Sequence, residues 1–489
     1  MKIALISSEA VPYSKTGGLA DVAGTLYREY IRMGLDVSLF VPLYKTTSVK
    51  FADSMTDTGI SLDIPVGSDI QKCRLFRLAA KGSPPDARGQ VYFISNADYF
   101  DREELYGPPE GDYPDNAARF AFFSKSVLEV CRKLKLKFDV LHCNDWQTGL
   151  IPLYIEALRL REKLFEDTRT MFTIHNLGYQ GLFPPSALDL TGLGPDHFTP
   201  EGIEFYGNIN LLKAGIISAD MVTTVSQTYA KEILTPDKGF GLDGVLRTRK
   251  DALYGVLNGI DYNEWNPAAD PALPASYAQS DAAGKKICKQ ALISHCGFTG
   301  KSEMPILSFI GRLSEQKGIV LLAGSINELM RRGLKLFILG RGDAHLEKLL
   351  RDYAGRYPGD IFFVAGFDDR LAHLAYAGSD IFLMPSVYEP CGLGQMIAMR
   401  YGTVPVATNT GGLADSITAE TNARQDMNGF LFNEHSLPSF TAGINSALQA
   451  YGNRKVWAKI VCSAMGTDFS WPGSAAKYLE LYKGTAHNG

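Results

Sequence analysis

No two of the seven cysteines (Cys73, Cys131, Cys143, Cys288, Cys296, Cys391, Cys462) stand at Cys-x-x-Cys spacing. That excludes a zinc knuckle or a paired redox motif and points to reduced, mostly buried thiols in a cytoplasmic protein. No apolar stretch approaches the roughly 18 residues that a membrane span needs. The opening run Ile3–Ile6 is followed at once by polar Ser7, Ser8 and Glu9, too short for a signal peptide, and it reads as a first strand. Charge of one sign is also missing. Forty-nine basic and 53 acidic side chains leave a net charge of −4, which offers no general attraction for nucleic acid or an anionic membrane. Several catalytic signatures are absent. The chain has no Gly-x-x-x-x-Gly-Lys-[Ser/Thr], no His-Glu-x-x-His and no Gly-x-Ser-x-Gly. It also lacks Asp-x-Asp, a usual device for holding a metal against a nucleotide sugar, so cations would have to do a metal's work.

What the 489 residues do hold is glycine, 48 in all, which suits many tight turns and backbone-lined loops. Short apolar runs alternate with helical stretches. Ile3–Ile6, Val37–Val41, Val91–Ile94, Val140–His142, Met171–Ile174, Met221–Val225 and Leu253–Leu257 are expected as strands, with helices over Asp115–Leu134 and Asn208–Ser218. The stretch 51–88 fits less well and reads as antiparallel hairpins or an insertion. A second series comprises Ile306–Ile310, Lys335–Leu339, Ile361–Val364, Ile381–Met384 and Val404–Thr408. Such alternation predicts an α/β protein with right-handed crossovers and two doubly wound parallel sheets facing across a cleft. The reading gives an N-terminal domain over 1–258 and a C-terminal domain over 259–467. Thr16-Gly17-Gly18-Leu19-Ala20-Asp21 recurs as Thr410-Gly411-Gly412-Leu413-Ala414-Asp415. Duplication and convergent need for a glycine turn opening a helix explain this echo equally well.

Ligands of open parallel sheets bind beyond the carboxyl ends of the strands, so those positions are the candidates. Lys15, Gly17 and Gly18 follow the first strand. Glycines and a helix N-terminus admit an oxyanion closely, and the lysine adds a full charge. Asp145 and Trp146 follow the strand ending at His142. A carboxylate and an indole suit sugar hydroxyls and C–H faces, although Asp145 could equally cap the helix after it. His175-Asn176 is a polar pair at the next strand end. In the second series Arg312 and Lys317, around a turn, make a plausible diphosphate clamp. Glu389 stands in a rigid turn, Pro385–Leu393, before a helix.

Taken together, Lys15-Thr16-Gly17-Gly18-Leu19-Ala20-Asp21-Val22, Arg312 through Lys317 and Glu389-Pro390-Cys391-Gly392-Leu393 closely resemble bacterial glycogen synthases and plant starch synthases. Asp145-Trp146, His175-Asn176, Asn258-Gly259-Ile260-Asp261 and Thr410–Asp415 fit the same family. The resemblance implies a GT-B fold of two Rossmann-like domains. It also implies transfer of glucose from ADP-glucose to the non-reducing end of an α-1,4-glucan, with retention and without a metal or other cofactor. It puts Lys15, Gly17 and Gly18 near the nucleotide diphosphate, with Asp21, Asp145, His175 and Asn176 towards the acceptor. His175 and Asn258 are expected at the transferring glucose, and Phe367 stacks on adenine. Arg312 and Lys317 grip the leaving diphosphate, Gly411 and Gly412 supply backbone donors, and Cys391, Gly392 and Leu393 border the donor. Glu389 stabilises positive charge on the sugar. The segment 468–489 is expected to return to the first domain. Two positions depart from wider patterns: Ile397 stands where many retaining GT-B relatives have a second glutamate, and Phe367 where the family often has tyrosine. A UDP-glucose enzyme, a pyridoxal-phosphate phosphorylase and an inactive glucan-binding protein are the competing readings.

Overall fold

The computed structural model describes residues 1–79, 89–108, 111–300, 303–419 and 427–484. The chain folds into two compact units. The first comprises Met1–Val225, Ala230–Val256 and the chain from Trp471 onward. The second comprises Leu257–Ser470 together with the four residues Ser226–Tyr229.

In the first unit the strands are β1 (Lys2–Ile6), β2 (Asp36–Pro42), β3 (Thr56–Val66), β4 (Asp69–Ala79), β5 (Gly89–Ser95), β6 (Val140–Asn144), β7 (Arg169–Ile174), β8 (Leu182–Phe183), β9 (Glu204–Phe205), β10 (Asn208–Asn210), β11 (Met221–Thr224) and β12 (Leu253–Gly255). Nine of them form one sheet in the order β12-β11-β7-β6-β1-β2-β5-β4-β3. It is parallel from β12 to β5 and ends in the antiparallel pairs β5–β4 and β4–β3. The hairpin expected within 51–88 is thus present as an edge extension; residues 80–88 of that stretch lie outside the described residues. The central strands are buried on both faces, as parallel strands under helices must be, and Ile3, Leu5, Val37, Leu39 and Phe93 are wholly enclosed. Helix Gly18–Arg32 buries Leu19, Val22, Ala23, Leu26, Tyr27 and Tyr30, the three-and-four spacing of one helical face.

One expected helix is shorter than its sequence pattern. Residues Asn208–Asn210 form β10, and the helix begins at Leu211 because the Asn210 side chain accepts from Lys213 N at 2.8 Å, an N-cap. With β8 and β9, β10 makes a small antiparallel sheet, order β8-β10-β9, too short to register as strands in the sequence.

Helix Trp471–Lys483 packs on this unit. Its Tyr482 hydroxyl accepts from the Tyr30 hydroxyl at 3.0 Å and meets His142 Nδ1 at 2.7 Å. The other imidazole nitrogen meets Thr173 Oγ1 at 2.6 Å. Burial drives His142 down to about 3, so the imidazole is neutral and joins helix and sheet through hydrogen bonds alone. The last residues of the segment expected over 468–489, 485–489, lie outside the described residues.

The second unit holds six parallel strands, β13 (Ile306–Ile310), β14 (Lys335–Gly340), β15 (Ile361–Ala365), β16 (Ile381–Met384), β17 (Val404–Thr408) and β18 (Phe430–Phe432), in the order β15-β14-β13-β16-β17-β18. The first five match the sequence reading. The three-residue β18 was not anticipated, being shorter than any periodic signal. All seven cysteines are free thiols, five of them buried, Cys296 half-buried and Cys462 exposed.

Candidate active site

In the first unit, Glu9 follows β1 and is buried, and its carboxylate accepts from Thr16 N, from Thr16 Oγ1 at 3.0 Å and from Gly17 N at 3.4 Å. The amide donors of the glycine loop, expected to face an oxyanion, are therefore held by an internal carboxylate at Thr16 and Gly17. Burial pushes Glu9 up to about 7 against these hydrogen bonds. What the loop presents outward is Lys15, whose Nζ lies 2.8 Å from Asp21 Oδ1. Lys15 is half-exposed and Asp21 partly so, and an ion pair this open to water is weak. Gly18 is the first residue of the helix that carries Asp21.

At the ends of β6 and β7 the chain builds a second cluster. Asp145 has left-handed backbone (φ 56°), and its side chain makes no cap to the short helix that follows. Instead its Oδ1 accepts from His175 N at 2.7 Å, and the amide of Asn176 adds a further bond, so the carboxylate ties two strand ends together. The capping role considered for the Asp145 side chain is therefore replaced: the helix amide of Thr148 goes to the main-chain oxygen of Asp145 at 3.0 Å, and the β7 turn supplies the donors for its carboxylate. Burial, the main cause, and the nearby Glu9 carboxylate push Asp145 up to about 7.

His175 Nε2 lies 2.9 Å from Asn144 Oδ1, and Asn144 Nδ2 donates to Ile6 O at 3.1 Å. An amide so oriented must accept from the imidazole, which places the proton on Nε2 and the lone pair on Nδ1. Desolvation brings His175 down to about 3 and keeps it neutral. Asn176 folds its own turn, with Oδ1 accepting from Gly178 N at 2.9 Å. Trp146 does not supply the sugar-covering face its neighbour suggested. It is buried edge-on against Phe120 at 5.0 Å between ring centroids, with Phe183 beside it.

In the second unit the strands β13 and β16 are neighbours, and the loops at their carboxyl ends meet. Lys317 Nζ lies 2.5 Å from Glu389 Oε2, and Ser386 Oγ donates to the same oxygen at 3.0 Å. The Glu389 side chain is 6% exposed and that of Lys317 19%. The loops are laced by Val387 N donating to Gln316 O at 2.8 Å and by Gln316 Nε2 donating to Tyr388 O at 3.4 Å. Arg312 stands exposed on the same turn, its guanidinium 3.4 Å from Gln316 Oε1.

Gly411 (φ 45°) closes this floor, since a Cβ there would stand 2.0 Å from Glu389 O. Gly412 N donates to Glu389 O at 3.0 Å, so this expected backbone donor is engaged inside the protein. Cys391 is buried beside Asn258, which hydrogen-bonds its thiol, and burial raises that thiol to about 12. It is an inert neighbour of the site and no nucleophile. Asn258 Oδ1 is buried without a hydrogen-bond partner among the described residues. Gly392 (φ 72°) and Leu393 lead into helix Gly394–Arg400, where Ile397 is buried. Phe367, after β15, is 74% exposed.

Glu9 and Ser386 hydrogen-bond to the candidate residues and were not singled out in the sequence reading. Glu9 directly follows Ser7-Ser8 and Ser386 stands three before Glu389, positions that carry no motif of their own.

Residues 2–248 match the family described as starch synthase catalytic domain, and residues 304–450 match glycosyl transferases group 1. A glycogen synthase of Thermodesulfovibrio yellowstonii is 45% identical over 99% of this chain and 98% of its own length. One from Geotalea daltonii is 44% identical over 99% and 98%. The catalytic domain of starch synthase IV from Arabidopsis thaliana, solved bound to ADP and acarbose, is similar with a TM-score of 0.89 at 32% identity over 99% of both chains. Sucrose-phosphate synthase from Thermosynechococcus elongatus, at 17% identity and a TM-score of 0.61 over 99% of this chain and 98% of its own, shares the fold alone. The two parallel-sheet units, the strand-end residues and these full-length likenesses place the chain in the glycogen and starch synthase family of GT-B glycosyltransferases.

Proposed function

We propose that the protein transfers glucose from ADP-glucose to the non-reducing end of an α-1,4-glucan, with retention at the anomeric carbon. The observation that carries this reading is the Lys317–Glu389 pair at 2.5 Å, held at two adjacent strand ends beside Arg312. A nucleoside diphosphate leaving a sugar gains negative charge while the sugar gains positive charge. A site that fixes cations and a carboxylate within one pair of loops can stabilise both. Lys317 and Arg312 take the diphosphate, and Glu389 faces the oxocarbenium-like sugar. The ADP in the starch synthase IV structure supports an adenine nucleotide here, with Phe367 as the exposed ring that stacks on the base.

The first unit supplies the acceptor side. Asp145, His175 and Asn176 lie at strand ends and Asp21 in the first turn of the helix after β1, positions where a sugar hydroxyl can be bound, and the acarbose bound to starch synthase IV supports a glucan occupant. Asn258 Oδ1 accepts from a hydroxyl of the transferring glucose. Retention follows from a front-face displacement in which the leaving phosphate accepts the acceptor's proton, so no protein base is required.

Among the described residues no three His, Cys, Asp or Glu side chains converge in a way that could hold a metal ion. The reading assigns the leaving-group charge to Arg312, Lys317 and Lys15, with no metal or organic cofactor. No helix among the described residues is long and apolar enough to cross a membrane, and the proposed setting is the cytoplasm.

The test incubates the protein with radiolabelled ADP-glucose or UDP-glucose and maltoheptaose, with and without excess EDTA. Extended chains from ADP-glucose that persist in EDTA are expected. Turnover only with UDP-glucose, or only with added Mg²⁺, would overturn the donor or the metal-free assignment respectively.

A further inference from the structure

Two of the four non-glycine residues with positive φ among the described residues are aromatic and exposed. Tyr206 (φ 48°) is 80% exposed, and Phe240 (φ 48°) is 39% exposed. Left-handed backbone at a bulky residue costs about 1–2 kcal/mol, and such strain persists only where the surroundings impose it. Here they do, and the scaffold is polar and buried.

Lys213, 3% exposed, drives its amino group against the loop before Tyr206, donating to Pro200 O at 2.6 Å and Glu204 O at 2.7 Å. Gly207 N donates to Glu204 Oε1 at 2.7 Å and closes the turn on the other side. The second loop is held by a relay. Buried Asn210 donates to Gln180 Oε1 at 2.7 Å, and Gln180 Nε2 donates to Phe240 O at 3.0 Å. The two loops touch, for a Cβ on Gly241 (φ 80°) would stand 2.9 Å from Phe205 Cζ and 3.3 Å from Tyr206 Cε2. Phe205 backs Tyr206 edge-on at 4.7 Å between centroids.

Nothing in folding rewards building strained loops from buried donors in order to hold rings out in water. We propose that Tyr206 and Phe240 form an aromatic platform on the first unit that binds the α-glucan chain of the acceptor, beyond the sugar that reacts. This rests on the synthase reading given above and deepens it. Three observations select the occupant. The relay reaches Phe240 through Gln180, four residues past Asn176, so the platform is continuous with the acceptor-side turn, and half-exposed Tyr179 lies between them. The indole that could have covered sugar C–H faces, Trp146, is buried beneath this loop against Gly181, which leaves that task to exposed rings. An α-1,4-glucan alternates C–H faces with hydroxyl edges, and it suits ring faces flanked by a phenol hydroxyl, which can donate or accept.

Tyr206→Gly tests the proposal without endangering the fold, because glycine takes φ 48° without strain and the variant should melt no lower than the parent. Affinity electrophoresis through glycogen, without donor, should show apparent affinity reduced at least about threefold, and the Phe240→Leu/Tyr206→Gly double variant more. The KM for maltoheptaose should rise by a similar factor, and that for ADP-glucose should not follow it. Unchanged glycogen retardation in the double variant would overturn the platform. So would a changed oligomeric state in sedimentation with glycogen affinity intact, which would make the patch a contact between copies. If the wild-type protein transfers glucose while the variants keep full glycogen affinity, the platform fails and the synthase reading stands. Loss of glycogen affinity in the variants of a protein that transfers no glucose would fail that reading and leave glucan binding at the platform.

Discussion

Lys317 Nζ and Glu389 Oε2 lie 2.5 Å apart, each on the loop that follows one of two adjacent parallel strands. The pair is mostly shielded from solvent, so each partner sets the cost of removing the other. Lys317→Ala leaves a shielded carboxylate without its cation. It should lower kcat/KM by on the order of 3–5 kcal/mol, as for losing a buried charge partner. It should also lower unfolding stability by about 1–3 kcal/mol. Pairing it with Glu389→Gln should recover part of the stability and none of the activity. Denaturation and steady-state kinetics on the double-mutant cycle check both arms; additive stability losses would deny the coupling.

Glu389→Gln alone keeps the volume and removes the charge. If the carboxylate faces an oxocarbenium-like sugar, kcat should fall by roughly two powers of ten or more while the KM for ADP-glucose changes little. Near-parental turnover would reduce Glu389 to a structural partner of Lys317.

Gly411→Ala places a methyl 2.0 Å from Glu389 O at a positive φ. The backbone under Glu389 must shift, so activity should drop at least about tenfold and stability by about 2 kcal/mol. A variant with parental melting temperature and rate would show that the floor of the site yields freely.

Asp145 protonates near 7 in the folded protein, far above its unfolded carboxyl range. Between about pH 4 and pH 7 the unfolded state has lost this proton and the folded state still holds it, so its contribution to stability is lost as pH rises. Asp145→Asn removes that loss. Relative to the parent, the variant should gain on the order of 2 kcal/mol between pH 5 and pH 8, beyond any constant offset. Urea unfolding at several pH values measures the gap; a gap that shrinks with rising pH would reverse the assignment.

Tyr482→Phe removes the hydroxyl that links helix Trp471–Lys483 to His142 and Tyr30. It leaves polar groups buried in the first unit, and a loss of about 1–2 kcal/mol is expected by chemical denaturation. His142→Phe with Tyr482→Phe should cost less than the sum, because both ends of one hydrogen bond are then apolar.

The strands were legible because buried parallel strands must be short apolar runs, and β13 to β17 fall where those runs lie. The family was legible from the order and spacing of strand-end residues such as Lys15, His175 and Glu389. Two elements were not. β18 and the sheet β8-β10-β9 consist of two- and three-residue strands, too short for any period to show. Asn208–Ser218 reads as one helix until Asn210 is seen to cap it.

Side-chain roles divided in the same way. Residue type and position put Lys317 and Glu389 in loops after strands, whereas the sheet order makes β13 the neighbour of β16 and so brings the two loops together. Which atoms meet was decided by tertiary structure. The six-residue echo shows this most directly. The Thr16 amide goes to the Glu9 carboxylate, whereas the equivalent Thr410 amide donates to the main-chain oxygen of Thr408 at 3.0 Å. Identical residues thus serve different partners, since a hydrogen bond depends on what the rest of the fold brings within about 3 Å, and no local sequence records that.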